Sequence, residues 1–244
     1  MKPLFIIGAQ RSGTTFLFDA LSLHNKVIPV KKSKEPKTFL KEEFPKNLNE
    51  YLSLYNLNQS NESKHVLEKT TSYYENSFVA SRIKSCLPQS KIIFIARDPL
   101  QRMISNYEFS KKNKLEKLAF KEAILNEERA FSTSVNPYSY ITRSLYSRYL
   151  VFWTSLFKEN LKVVLFEEMI LSNTNLFSEI FSWAGVDPTK ETLEKISEVG
   201  IRNAAPRSKE YDLGNEGDNI KALFNKEKKF LEIFLNRSID CWSF

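Results

Sequence analysis

Phe5-Ile6-Ile7-Gly8-Ala9-Gln10-Arg11-Ser12-Gly13-Thr14-Thr15-Phe16-Leu17-Phe18-Asp19-Ala20-Leu21 is the stretch that decides the fold. An apolar run over residues 3–8 breaks at a glycine-bounded loop, then resumes with helical spacing from Gly13 to about Leu23. Strand, tight loop and helix N-terminus together make an anion-binding geometry. Free backbone N–H groups point outward there, and the helix dipole favours negative charge. Gly8-x-x-x-x-Gly13 has the spacing of the nucleotide-triphosphate P-loop, which continues with lysine and then serine or threonine. Thr14 stands where that lysine belongs, and Arg11 supplies a cation from inside the loop. The difference points to phosphate binding without ordinary ATP or GTP hydrolysis.

Further strands are expected at His65–Lys69, at Lys91–Ala96 and at Leu161–Phe166. Lys91-Ile92-Ile93-Phe94-Ile95-Ala96 is apolar on both faces, as central parallel strands are. Between the strands, helical spacing runs over Asn47–Tyr55, Tyr74–Cys86, Pro99 to about Lys111, residues 117–130, 138–158, 173–184, 189–199 and 220–236. Strands alternating with helices predict an α/β fold, a central parallel sheet with helices on both faces. No internal repeat and no long linker divides the 244 residues, so one domain over 1–244 is expected.

Hydrophobic content of 42% and charged content of 27% suit a globular chain rather than a disordered or membrane one. The formal charge of +7 suits an anionic partner, although a lysine-rich solvated surface accounts for it equally well. Two cysteines and two histidines offer neither a disulfide framework nor metal-ligand spacing, so no metal is expected. Met1-Lys2-Pro3 enters the first strand at once, and no apolar run reaches membrane-spanning length. A cytoplasmic chain without a membrane span is the expectation.

The second informative segment is Arg97-Asp98-Pro99-Leu100-Gln101-Arg102-Met103-Ile104-Ser105-Asn106-Tyr107. Arg97 stands at the carboxyl end of a buried strand, where open α/β sheets bind ligands. Asp98 reads as an N-cap and Pro99 as the first helical residue. Ser105 lies about two turns into that helix. A guanidinium and a hydroxyl so placed can share one phosphate; a structural salt bridge at Arg97 and a plain surface serine are equally good readings of this segment alone.

Together the two segments resemble the 3′-phosphoadenosine 5′-phosphosulfate (PAPS)-dependent sulfotransferases. That family carries G-x-x-(K/R)-(S/T)-G-T-(S/T) around the 5′-phosphosulfate and R-(D/N)-P-x-x-R-x-x-S-x-Y at the 3′-phosphate, and this sequence matches both in order. The resemblance implies a PAPS donor leaving as 3′-phosphoadenosine 5′-phosphate (PAP). It places Gln10, Arg11, Ser12, Gly13, Thr14 and Thr15 at the phosphosulfate and Arg97 and Ser105 at the 3′-phosphate. Lys34-Glu35-Pro36-Lys37-Thr38-Phe39 is similar to the K-E-x-x-x-F segment of glycan sulfotransferases related to the heparan sulfate enzymes. Its glutamate is their general base, which implies that role for Glu35; a solvated, charge-compensating role is the alternative. Glu68-Lys69-Thr70-Thr71-Ser72-Tyr73-Tyr74 resembles E-K-(S/T)-P-x-Y-(F/Y), with Thr71 in the proline's place, and implies that Lys69 lies near the transferring group.

Arg143-Ser144-Leu145-Tyr146, with Leu150 and Trp153, is similar to the family's R-G-x-Y helix. Arg143 and Tyr146 either touch the 3′-phosphate or pack that helix, contact being slightly favoured. Asn203–Ser208, with Arg207, falls where the family closes a loop over the nucleotide. Tyr73, Tyr74 and Tyr107 are the aromatics expected near the cleft, and His24 and His65 are expected to be structural.

The mechanism these parts imply is in-line sulfuryl transfer with Arg11 stabilising the leaving oxygen, Glu35 as base and Lys69 beside the sulfuryl group. Arginine keeps its charge and cannot serve as an acid near neutral pH. A hydroxyl or amine of a carbohydrate or glycolipid is the expected acceptor. A P-loop kinase is the rival enzyme, but it needs the lysine that Thr14 replaces and an acid for magnesium. A basic nucleic-acid-binding module is the rival binder; its motifs and interleaved aromatics are absent from the sequence, so no nucleic-acid partner is expected.

Overall fold

The computed structural model describes residues 1–30, 35–57, 64–130, 136–171, 173–199 and 211–242. Branched and aromatic side chains set its sheet: Leu4–Ile7 and Ile92–Ala96 are buried on both faces, as strands covered by helices on either side require. The strands β1 (Lys2–Gly8), β2 (Val27–Pro29), β3 (His65–Lys69), β4 (Lys91–Ala96) and β5 (Leu161–Leu165) form one sheet in the order β2-β3-β1-β4-β5. β1 pairs in parallel with β3 and β4, and β2 with β3; Leu4 sits between Leu67 and Lys91. The α/β fold expected from the sequence is the one observed.

This order fixes where a ligand can sit. From β1 the chain passes through α1 (Thr14–Leu21) to β2 on one side of the sheet, whereas from β4 it leads to β5 on the other. The crevice outside the carboxyl ends of β1 and β4 is therefore the topological switch point, the usual ligand position in open α/β sheets. Ala9 N–H closes its floor by donating to the Ile95 carbonyl at 2.9 Å.

Two compact units divide the chain. The first takes in Met1–Ile95 and the elements from Tyr149 to α9 (Lys190–Val199). Its core gathers Leu4 and Ile6 of β1, Leu17 and Leu21 of α1, Ile93 and Ile95 of β4, and Phe177 and Ile180 of α8 (Asn173–Ala184). α2 (Leu48–Ser53), capped by the Asn47 side chain on Glu50 N–H at 3.0 Å, and α3 (Ser77–Cys86) belong to the same unit. The second takes in Ala96–Arg148 and the C-terminal elements. There Met103, Ile104 and Tyr107 of α4 (Pro99–Lys112) pack with Phe120 and Ile124 of α5 (Phe120–Leu125), Tyr140, and Ile220 and Phe224 of α10 (Gly217–Leu235).

Four element readings change. β2 was not anticipated: three residues are too few to show alternation, and Pro29 is tolerated only because the strand lies at the sheet edge. The helix expected over 117–130 contracts to α5, and the one expected over 138–158 begins only at Tyr146, as α6 (Tyr146–Phe157). The Glu127 carboxylate accounts for that later start. It takes the N–H groups of Ile141 and Thr142 and the Thr142 hydroxyl, so those amides are withdrawn from helical pairing. Phe166 ends no strand but opens α7 (Phe166–Leu171).

Candidate active site

The phosphate loop is built as its glycines dictate. Gly13 is the N-cap of α1 with φ 76°, the left-handed region that favours glycine. A Cβ there would also meet Met169 Cε at 2.8 Å and the Phe166 ring at 2.8–2.9 Å. At Gly8 a Cβ would run into the Tyr74 ring. Ser12 N–H turns back to the Ala9 carbonyl at 3.2 Å, and Arg11 takes φ 73° to complete the bend. Arginine in that region costs about 1–2 kcal/mol, strain of the kind held at functional loops. The first-turn amides of α1, from Thr14 onward, have no acceptor within the helix. Ser12 is fully buried, and its hydroxyl finds no hydrogen-bond partner among the described residues. A buried orphan hydroxyl in a loop of outward N–H groups fits a phosphate or phosphosulfate, whose oxygens accept from both.

The same unit brings the candidate base and the lysine to this end of the sheet. Lys69 ends β3, is nearly buried, and donates from Nζ to Thr15 Oγ1 at 3.2 Å, so its ammonium stands at the first turn of α1. Two residues on, Thr71 Oγ1 donates to Glu35 Oε1 at 2.7 Å. Thr71 stands in the place of the motif's proline. In the structure it anchors the carboxylate, a contact proline cannot make.

Beneath lies a group the sequence did not single out. Glu68 is fully buried in β3 and accepts from Tyr73 Oη (2.6 Å), Tyr51 Oη (3.0 Å), Tyr55 Oη (3.2 Å) and Thr70 Oγ1 (3.3 Å). Burial pushes its carboxyl above the usual range, and the four hydroxyl donors pull the other way. Burial and the Glu68 carboxylate push the Tyr51 and Tyr73 phenols well above theirs. A glutamate inside an otherwise apolar strand needs partners; tyrosines at 51 and 55, one helical turn apart, were the readable sign of them.

In the second unit, Arg97 follows β4 and is half-buried. Its carbonyl accepts from Tyr146 Oη at 2.7 Å, and Asp98 caps α4 by accepting Gln101 N–H at 3.0 Å, as expected. Tyr146 thus supports the Arg97 backbone. It is fully buried and its hydroxyl goes to the Arg97 backbone, so it holds Arg97 in place. Ser105 is buried on α4. Arg102, also fully buried, donates from Nε to Ser144 Oγ (2.6 Å) and from Nη2 to the Tyr140 carbonyl (2.5 Å), tying α4 to the segment before α6.

The three aromatics expected at the cleft are committed to packing. Tyr73 serves Glu68, and the Tyr74 ring lies against Gly8 with its carbonyl accepting Trp153 Nε1 at 3.0 Å. Tyr107 packs on Phe120, Tyr140 and Tyr211 and donates to the Leu118 carbonyl at 3.1 Å. Both histidines are buried; Nε2 of His24 bonds the Asp187 carbonyl at 3.0 Å, and burial lowers His65 to about 4. Lys34 and Arg207 lie outside the described residues. Among those described, no group of three or more His, Cys, Asp or Glu side chains gathers as a metal site, and no helix is long and apolar enough to cross a membrane.

A glycine-bounded loop at the switch point of a parallel sheet, with the Lys69 ammonium at the first turn of the helix it opens, defines a P-loop-like α/β protein. The chain belongs to the sulfotransferase domain family, whose model matches residues 1–204. Among curated proteins it is similar to the membrane-associated sulfotransferase kil1 of Dictyostelium discoideum, 32% identical over 139 residues, or 52% of this chain and 28% of that one. It is also similar to mouse heparan sulfate glucosamine 3-O-sulfotransferase 3A1, 28% identical over 153 residues, 63% of this chain and 37% of that one. The matched stretch is thus less than two fifths of either relative. The fold is shared with a sulfotransferase from Alicyclobacillus acidocaldarius (TM-score 0.74, 22% identity, 99% of this chain and 98% of that one). It is shared too with the mouse sulfotransferase SULT7A1, solved with PAP (TM-score 0.61, 15% identity, 95% and 85%).

Proposed function

We propose that this chain, acting as one sulfotransferase domain over 1–244, moves a sulfuryl group from PAPS to a hydroxyl or amine of a carbohydrate or glycolipid. The family match crosses both compact units, which supports reading them as one domain. PAPS supplies the activated sulfuryl group; the rest is the work of side chains. Loop amides, Ser12 and Thr15 bind the phosphosulfate, and the Arg11 guanidinium offsets the charge that builds on the leaving oxygen. Lys69 adds positive charge at the transferring group. Glu35 removes the acceptor proton. Arg97 and Ser105 hold the 3′-phosphate, with Tyr146 fixing the Arg97 backbone. The observation that carries this reading is Glu35 held by Thr71 two residues from Lys69, whose ammonium reaches Thr15 at the phosphate loop. The glycan acceptor rests on the Lys34-Glu35-Pro36-Lys37-Thr38-Phe39 segment and on the likeness to a heparan sulfate 3-O-sulfotransferase.

Calorimetric titration with PAP tests the donor site. Arg97→Ala is expected to weaken PAP at least about tenfold, the scale of one lost charge-assisted hydrogen bond. Equal affinity for ATP and PAP in the wild type refutes the two-phosphate donor site.

A further inference from the structure

Glu35 is held at one end by Thr71, but the segment that follows it is held by a different device. Lys37 N–H donates to Thr70 Oγ1 at 3.3 Å, Thr38 Oγ1 meets Tyr55 Oη at 2.6 Å, and Phe39 N–H donates to Tyr73 Oη at 3.0 Å. Three successive residues thus hang from three hydroxyls, and all three hydroxyls donate their own protons to Glu68. The arrangement has a direction. The Glu68 oxygens accept from all three hydroxyls, which leaves the hydroxyl lone pairs facing residues 37–39. Stacking of Phe39 on Tyr51 (6.0 Å between centroids) closes the hub on its apolar side. Nothing about Glu68 itself reaches a ligand, since it is fully buried.

We infer that Glu68, acting through Thr70, Tyr55 and Tyr73, and Thr71, acting directly, are positioning residues that set the Glu35 carboxylate for proton removal from the acceptor. The inference rests on Glu35 being the base. Thr71 takes Oε1 and leaves Oε2 for the acceptor proton; the hub fixes the backbone that follows, so the carboxylate cannot swing with its loop. A threonine where related segments carry proline is on this account a functional substitution rather than a lapse in the motif.

The test uses the full chain with PAP bound. Tyr73→Phe keeps the ring but removes the Phe39 acceptor and one Glu68 donor. Amide hydrogen exchange at Phe39 is expected to accelerate about tenfold while Val66 and Leu67 in β3 stay protected. Unchanged exchange at Phe39 overturns the hub. Thr71→Val is expected to slow PAP release from PAPS about tenfold, with heparan oligosaccharide as acceptor and with KM for PAPS unchanged. In a Glu35→Gln background the same change should cost nothing more. Full turnover in Thr71→Val, or an equal loss in the Glu35→Gln background, overturns the inference about Thr71. Full turnover in Glu35→Gln alone instead removes Glu35 as base, and with it the premise.

Discussion

Replacing Gly13 by alanine tests whether the phosphate loop depends on its backbone as argued. Two costs follow from the structure. The φ of 76° places an L-residue in the left-handed region, about 1–2 kcal/mol. The added Cβ then meets Met169 Cε and the Phe166 ring at 2.8–2.9 Å. Met169 is fully buried in the first unit's core and Phe166 is partly buried against it, so the terminal methyl of Met169 and the Phe166 ring must shift to admit the Cβ. Overpacking of this kind costs about 1–3 kcal/mol. Gly13→Ala should therefore lose about 2–5 kcal/mol in urea denaturation, a large share of the ~5–15 kcal/mol typical of a domain. PAP affinity should fall with it, because the amides of α1 move as the loop shifts. The Gly13→Ala/Met169→Ala double variant separates the two costs: it should be more stable than the single losses summed, by about 1 kcal/mol or more, because the steric part is relieved and the backbone part is not. A Gly13→Ala protein within about 0.5 kcal/mol of wild type and with unchanged PAP affinity would refute the reasoning.

Acid should weaken the fold over two separate pH windows. His65 has its proton affinity lowered from 6.5 to about 4, by burial first, with Lys2 and the N-terminus adding to it and the Ala184 backbone opposing. The unfolded chain therefore binds the extra proton between those values, and stability falls as pH drops from about 6.5 to 4, by up to about 3 kcal/mol. Urea melts of His65→Gln should lack that loss; an identical pH profile counts against it. Glu116 behaves oppositely. Burial alone would raise its carboxyl, but Arg129, Leu118 N–H and Tyr140 together hold it at about 2. Its contribution is complete above pH 4.5 and is lost as pH falls towards 2. Glu116→Gln should cost about 1–3 kcal/mol at pH 7, since the Arg129 fork at 2.6 and 2.9 Å loses its charge partner; no change in the urea midpoint would show the pair to be energetically idle.

What could be read from the sequence was what is encoded within a few residues. Gly8 and Gly13 bound the loop because backbone angles and close approaches are local demands, and Asp98-Pro99 starts α4 because capping is local too. Helix limits at 120–125 and 146–157 were not legible, because Glu127 captures amides 14 and 15 residues away and no periodicity announces that. Partnerships are longer-ranged still: Tyr146 to Arg97 spans 49 residues and Thr71 to Glu35 spans 36. A motif names the residue type at a position but is silent on which oxygen its hydroxyl serves. Hence the motif does not say that the Tyr146 hydroxyl serves the Arg97 carbonyl, or that the Thr71 hydroxyl serves the Glu35 carboxylate. Proline at 71 could stiffen the same turn but has no proton to donate. If Thr71 does orient Glu35, related chains with proline must fix their base by other means, so the departure from the motif is where this chain's own chemistry is written.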